Sequence, residues 1–416
     1  MDIPGGAAIV PPMTPDSDIL IVGGGLNGPA LALALAQAGL SVTVVDALAR
    51  DIRADPGFDG RSYALSAGSV RLLRAIGIWP QVAAQAQAMH RIMVSDGRAG
   101  EGAAPQVLEF DSAEIEGGPM GWMVEDRHLR RAFLEVMERT AGIALVDSAR
   151  VVAQDVEDGL AAVTLEDGRR LTARLVAGCD GRASGTAERA GITRQGRGYG
   201  QTAVTCAVAH ELPHNGVAHQ FFMPAGPLAI LPLPGNRSSI VWSETDARAA
   251  ELMAMGDEAF LVALRPAFGS FLGGLRLEGV RFSYPLKLTL ARDFTGARLA
   301  LVGDAAHGMH PIAGQGLNAG LRDVAALAQV LSEARARGED IGASPVLDRY
   351  AQARRFDTAT LALATDTVNR LFSNDNPLLR AARDLGLGAV NAIGPLRRAF
   401  IREAAGLTGD LPPLMR

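Results

Sequence analysis

The chain has 416 residues, 48% of them hydrophobic and 20% charged, with a formal net charge of −5. That length and composition predict a large folded core split into domains, and a net negative chain with only four tyrosines and three tryptophans excludes an obvious nucleic-acid surface. Cys179 and Cys206 form no CxxC or zinc spacing, the histidines form no HExxH, and no apolar run reaches the roughly 18 residues of a bilayer span, so a reduced, cytoplasmic chain without a metal centre is expected.

Residues 1–17 are Pro-rich, lack the basic start and apolar middle of a signal peptide, and read as a disordered tail. Asp18–Val22 follows as a short buried strand. Gly23-Gly24-Gly25-Leu26-Asn27-Gly28 matches G-x-G-x-x-G, Pro29 to Gly39 reads as an Ala/Leu-rich helix, and Ser41–Val45 is a second strand ending on Asp46. This β-α-β unit has its acid about 20 positions past the glycines, as a dinucleotide site requires. Gly23 permits the tight turn, Gly25 lets backbone approach a pyrophosphate, Gly28 lets helix pack on strand, and Asp46 would hold a ribose hydroxyl. The glycine pattern alone is weak in a chain with 48 glycines; strand, helix, strand and acid in order give it force.

Leu175–Gly178 is another apolar strand, ending in Cys179-Asp180-Gly181 before a polar helix start. Asp-Gly is a common turn pair, but ligands of open α/β sheets collect at the carboxyl ends of strands, so this corner joins the first as a candidate. Between Gly191 and about Leu290, His219–Phe222, Leu228–Leu233 and Ser239–Ser243 read as antiparallel strands. Trp242, Phe282 and Pro285 are candidate pocket residues there, with ordinary sheet core the simpler reading.

Leu299–Val302 is a further buried strand. It opens into Gly303-Asp304-Ala305-Ala306-His307, then His310-Pro311 and Gly314-Gln315-Gly316-Leu317-Asn318, and a long helix from about Gly316 to Arg337. A carboxylate for sugar-type hydroxyls, glycines that admit a flat ring, and a helix start that attracts negative charge suit a flavin. Beyond Pro345 the chain is helical. Its segment Pro377–Leu407 carries Arg380, Arg383, Arg397, Arg398 and Arg402 against Asp384 and Glu403, a pattern that suits either an anionic lipid surface or a helix packed on the core with its arginines in solvent. Gly386–Asn391 lacks a strand before it and an acid after it, so a second, nicotinamide-binding domain is not expected.

The expected fold is α/β: a Rossmann-like FAD-binding domain (18–190 and 291–344) with an inserted, mostly antiparallel β-sheet substrate domain (191–290) and a helical C-terminal region (345–416).

Gly23–Gly28, Asp180-Gly181 and Gly303-Asp304 together resemble the fingerprints of FAD-dependent aromatic hydroxylases, the para-hydroxybenzoate hydroxylase-like monooxygenases. Gly60–Ser66, Gly121–Glu125, Gly226–Leu233 and Gly303–Asp323 are similar to the ubiquinone-biosynthesis members of that family, which hydroxylate polyprenylated phenols. The resemblance implies that Gly23, Gly25, Gly28 and Asp46 hold the ADP half of FAD, with Arg61 and Arg127 as further contacts. Asp180 and Gly181 would serve FAD and NAD(P)H, and Asp304 the ribityl chain. Pro311, Gly314, Gly316, Leu317 and Asn318 would lie along the isoalloxazine.

It further implies hydroxylation of a lipophilic phenol by dioxygen through a flavin C4a-hydroperoxide, with NAD(P)H or a protein reductant. Peripheral contact with the inner membrane and with other quinone-biosynthesis proteins would follow. Another phenol as substrate, or a structural subunit that keeps its FAD motifs, stays open. No catalytic base stands out: His307, His310 and Tyr63 are candidates, with a hydrogen-bonded structural role the expectation for the histidines. Ala187 stands where the family commonly has an arginine; Arg189 is two residues on.

Overall fold

Runs of apolar residues broken by glycine turns build three sheets flanked by helices among the described residues. The structure, a computed structural model, describes residues 14–98, 102–116, 118–309, 315–372 and 390–416. β1 (Ser17–Val22), α1 (Asn27–Gln37) and β2 (Val42–Val45) form the opening unit. α2 (Arg50–Arg53), β3 (Ser62–Ser66), α3 (Ala67–Ala75), α4 (Trp79–Val82), β4 (Gln87–Met89), β5 (Arg91–Arg98), β6 (Gly102–Asp111), β7 (Gly121–Glu125) and α5 (Asp126–Arg139) follow. Next come β8 (Ile143–Val146), β9 (Val151–Glu157), β10 (Leu160–Leu165), β11 (Arg170–Gly178) and α6 (Gly185–Arg189). The second half holds β12 (Arg194–His210), β13 (Val217–Met223), β14 (Gly226–Leu233), β15 (Arg237–Thr245), α7 (Asp246–Ala254), α8 (Asp257–Phe268) and β16 (Leu275–Ala291). It ends with β17 (Thr295–Gly296), β18 (Leu299–Leu301), β19 (His307–Gly308), α9 (Gln315–Ala336), α10 (Ser344–Phe372) and α11 (Gly394–Ala404).

The first sheet runs β17–β18–β11–β1–β2–β8, with β9 and β10 hairpinned onto β11. β18, β11, β1, β2 and β8 are mutually parallel neighbours. Their apolar runs do not alternate because helices cover both faces: Ile19, Leu20 and Ile21 are all sealed. α1 is buried from Gly28 through Leu35, which is why it is apolar all round.

The second sheet runs β19–β16–β12–β15–β14–β13–β5–β6. Its long strands β12 and β16 pair antiparallel and carry the chain out of the first sheet and back. Alternation along β12 splits its faces: Val204, Cys206 and Val208 pack with Phe260 and Phe268 of α8, whereas Ala207 packs with Met89 and Met123 of the third sheet, β3–β7–β4. Trp242 lies on the helix-covered face, its ring 6.2 Å from that of Phe260, so it is sheet core. Phe282 is half-buried and Pro285 exposed.

Two boundaries differ from the sequence reading. β5 and β6, from within 18–190, complete the second sheet because β5 pairs parallel with the outer edge of β13. Order also begins before Asp18: Ser17 is in β1, and Asp16 accepts hydrogen bonds from Thr172 through Oδ2. Residues 1–13 and 373–389 lie outside the described residues, and so does most of Gly386–Asn391.

Candidate active site

The site begins with a register. Val22 of β1 pairs with Gly178 of β11, and Gly178 pairs with Leu301 of β18. Three adjacent parallel strands therefore end at one level, and each opens into a glycine turn: Asp180 and Asp304 stand in the turns after β11 and β18, while the turn after β1 borrows its acid, Asp46, from the end of β2. The loops stay bonded past the strand ends: Cys179 N donates to Val22 O at 2.7 Å, Val302 N to Gly178 O at 2.9 Å, and Gly23 N to Val45 O at 2.8 Å.

Glycine is required where these loops crowd. At φ +110°, Gly23 sits against the Cys179 carbonyl, and a Cβ on Gly28 would collide with Gly23 O. Gly303, at φ +63°, abuts the side-chain amide of Asn27. Elsewhere glycine leaves space. Among the described residues nothing lies within 4 Å of the Cβ position at Gly25 in the first loop, at Gly181 in the second, or at Gly316 in the first turn of α9.

The acids divide by role. Asp46 Oδ2 accepts from Gly24 N and Oδ1 from Leu48 N at 2.7 Å, so it shapes the fingerprint loop from the end of β2. Arg53, which the sequence did not mark, lies buried over the same loop, with Nη1 3.5 Å from Gly24 O and an ion pair to Asp147. Asp180 has both oxygens engaged: Oδ1 by Ser184 Oγ, and Oδ2 by Thr186 N at 2.9 Å and Thr186 Oγ1 at 2.8 Å. It tethers the start of α6, where Ser184 is the N-cap. Ala187 is fully buried, and Arg189, two residues on, donates to Thr186 Oγ1 at 3.2 Å.

Asp304 stands at the third strand end, 38% exposed, with Arg182 Nε 3.6 Å away. Burial raises its pKa, against Arg182 and His307; at that exposure solvent screens much of the effect. The Arg182 guanidinium also lies over the Tyr284 ring, 5.0 Å from its centroid.

Arg61 and Arg127 belong to two carboxylate networks at the base of α5. Arg61 pairs with Asp59 at 2.6 Å and with buried Asp126 at 3.2 Å, and Arg130 also pairs with Asp126. Arg127 Nε donates to buried Glu125 at 2.7 Å, and Arg237 Nη1 bonds its other oxygen at 2.8 Å. Tyr63 lies beside the first network. Burial, then the Asp126 charge, push its hydroxyl well above the ordinary tyrosine range, so it remains a neutral donor.

His307 is sealed, and its Nε2 lies 2.6 Å from Asp323 Oδ2. Asn318 acts as a clasp: Nδ2 donates to Ala64 O at 2.8 Å, while Oδ1 accepts from Ser66 N at 2.9 Å and Ser69 Oγ at 2.7 Å. Leu317 packs partly on the main core. His310, Pro311 and Gly314 lie outside the described residues.

The residues present fit FAD. Two of the three adjacent loops have open space beside a glycine, at Gly25 and Gly181, the start of α1 has no side-chain cap, and Asn27 Oδ1 is buried without a partner among the described residues. Uncapped helix N–H groups suit a pyrophosphate, and Asp46 and Asp304 at separate strand ends suit the two sugar-like parts of a long dinucleotide.

The family model described as "FAD binding domain" matches residues 16–363. A ubiquinone hydroxylase, UbiL, of Rhodospirillum rubrum is 47% identical over 405 residues, covering 96% of this chain and 92% of that protein. The 3-demethoxyubiquinol 3-hydroxylase of Escherichia coli is 37% identical, covering 94% and 99%. Among solved structures, p-nitrophenol 4-monooxygenase of Pseudomonas putida superposes with a TM-score of 0.78 at 21% identity, covering 94% of this chain and 98% of that one, which establishes the fold.

Proposed function

The chain belongs to the FAD binding domain family, and on that footing we propose that it is an FAD-dependent monooxygenase that hydroxylates the ring of a polyprenylated phenol in ubiquinone biosynthesis. One observation carries the reading: three parallel strands end side by side in glycine turns, with room beside Gly25 and Gly181. The chain around them shares nearly half its residues with a ubiquinone hydroxylase.

FAD, when bound, supplies the two-electron carrier and the dioxygen activation that hydroxylation of a phenol ring needs. The protein's part is placement and exclusion. In this proposal Gly23, Gly25 and the N-terminus of α1 receive the pyrophosphate, Gly28 brings helix to strand, and Asp46 meets the adenosine ribose. Asp304 accepts from the ribityl hydroxyls. The start of α9, at Gly316 and Leu317, offers backbone N–H groups to negative charge on the reduced ring. Pro311 and Gly314 belong to the same proposed contact. Asn318 contributes by fixing α9 to β3 and α3. Arg61 and Arg127, held by Asp126 and Glu125, are proposed as further cofactor contacts. The second sheet shields it from water.

The electron donor is proposed to be NAD(P)H, arriving transiently beside Gly181. Two features support this: the open space at Gly181 and the exposed guanidinium of Arg182. A lipophilic substrate calls for peripheral membrane contact. No helix among the described residues is long and apolar enough to cross a membrane. α11, however, exposes Leu396 and Phe400 beside Arg398 and Arg402, while Arg397 is paired with Glu114.

The test is direct. The protein saturated with FAD and then freed of unbound flavin should keep the visible flavin bands, and Asp304→Ala treated in the same way should lose them. Cells lacking the protein should accumulate a ring-unhydroxylated quinone precursor by mass spectrometry; an unchanged quinone pool overturns the proposal.

A further inference from the structure

Asp323, in α9, has no solvent exposure and collects three donors. Gly303 N donates to Oδ2 at 2.9 Å, His307 Nε2 bonds the same oxygen at 2.6 Å, and Arg354 Nε of α10 donates to Oδ1 at 2.8 Å. Asp357 in turn holds Arg354 at 2.8 Å. Gly303 and His307 are the two ends of the turn that carries Asp304. One buried carboxylate therefore pins both ends of that turn to α9 and leaves Asp304 between them, facing outward.

The turn does not need this charge to close, because Ala306 N already donates to Gly303 O at 2.8 Å. Burying a carboxylate is costly unless several donors meet it. What the buried group adds is a fixed relation between Asp304 and α9. Burial alone would raise the Asp323 carboxyl, but His307 and Arg354 hold it below the usual range, so it stays ionised and keeps its grip.

We propose that His307 and Asp323, backed by Arg354, form a positioning bracket that sets Asp304 against the N-terminus of α9, so that the ribityl chain and the ring of the flavin seat together. The inference rests on the FAD reading above. Both bracket residues are buried, so their action on the cofactor runs through Asp304.

The test uses the full chain stripped of flavin and retitrated with FAD, read by fluorescence quenching and by visible circular dichroism of the bound flavin. His307→Leu removes the bond while keeping bulk. It should weaken FAD binding about tenfold, the scale of one hydrogen bond to a charged group, and alter the flavin dichroism. His307→Gln keeps an N–H near the Nε2 position and should restore most of both. Should His307→Leu fail to accumulate folded, His307→Asn, too short to reach Asp323, gives the same reading.

Tyr350→Phe is the control. It removes a different bond made by α10, Tyr350 Oη to Leu301 O of β18 at 2.7 Å, without touching the turn. It should lower the melting temperature yet leave FAD affinity and dichroism unchanged. Wild-type FAD affinity and dichroism in the His307 variants overturn the bracket alone. Wild-type protein that takes up no FAD overturns the functional reading and the bracket with it.

Discussion

Asn27 occupies the place a side chain on Gly303 would need: a Cβ there would overlap its Nδ2, and one on Gly320 would meet the same amide. The first glycine loop and the last, far apart in sequence, are thus interlocked through one small polar side chain. Gly303→Ala should therefore fail twice, by collision and by the left-handed backbone at φ +63°. The expected loss is about 1–3 kcal/mol of stability, together with weaker FAD binding. Urea unfolding and FAD titration measure the two; an unchanged unfolding midpoint refutes the interlock.

Gly25 and Gly28 share a motif but should break differently. Gly28→Ala drives a Cβ into Gly23 O and should lower thermal stability with or without FAD. Gly25→Ala meets no described atom within 4 Å, so the flavin-free protein should melt as wild type does while FAD affinity falls. Melting curves recorded with and without FAD separate the cases. Equal destabilisation of both flavin-free variants would count against an open cradle at Gly25.

The cofactor unit was legible because its signals are local. Strand, glycine turn, helix, strand and acid follow one another from Asp18 to Asp46, and the structure returns them as β1, α1 and β2. The helix expected from Gly316 to Arg337 appears as Gln315–Ala336. What stayed hidden depends on distant partners. Nothing in Arg91–Arg98 announces a parallel pairing with β13. Nor could the pattern show that Asp180 turns inward to Ser184 and Thr186, or that Arg61 and Arg127 are held by Asp126 and Glu125. Asp323 did leave a trace: it is an acid on the apolar face of a helix, in line with Ala319, Ala326 and Leu327, where a charge needs a buried partner.

Asp180→Ala should act on folding before it acts on ligand. It frees Ser184 Oγ, Thr186 N and Thr186 Oγ1 together, so α6 loses the tether at its start. Faster hydrogen exchange across Gly185–Arg189 in the flavin-free protein is the expected signature. Wild-type exchange there would assign Asp180 to the ligand instead.

If α11 meets lipid, Leu396→Asp with Phe400→Asp should reduce flotation with anionic vesicles without changing the melting temperature, since both side chains are already exposed. Ile401, on the inward side of the helix, is fully buried, so Ile401→Asp should destabilise the fold. Unchanged flotation of the double variant would return α11 to a purely structural role.

Acid should loosen the Asp323 bracket, and the sign follows from linkage. Burial works against the ionised carboxyl, but His307 and Arg354 outweigh it, so its folded pKa lies below the ordinary 3.8. As pH falls, the unfolded chain takes the proton first, and protonation favours unfolding. The bracket's contribution is therefore full above the unfolded value and is lost as pH falls through the folded one. Asp323→Asn, which takes away the buried one of the two carboxylates facing Arg354 and leaves it Asp357 alone, should cost about 3–5 kcal/mol at neutral pH. The gap between wild type and variant should narrow steadily below about pH 4. Urea midpoints of both proteins between pH 7 and pH 3 measure that gap; one that stays constant or widens in acid would mean that the carboxylate is not held ionised by His307 and Arg354.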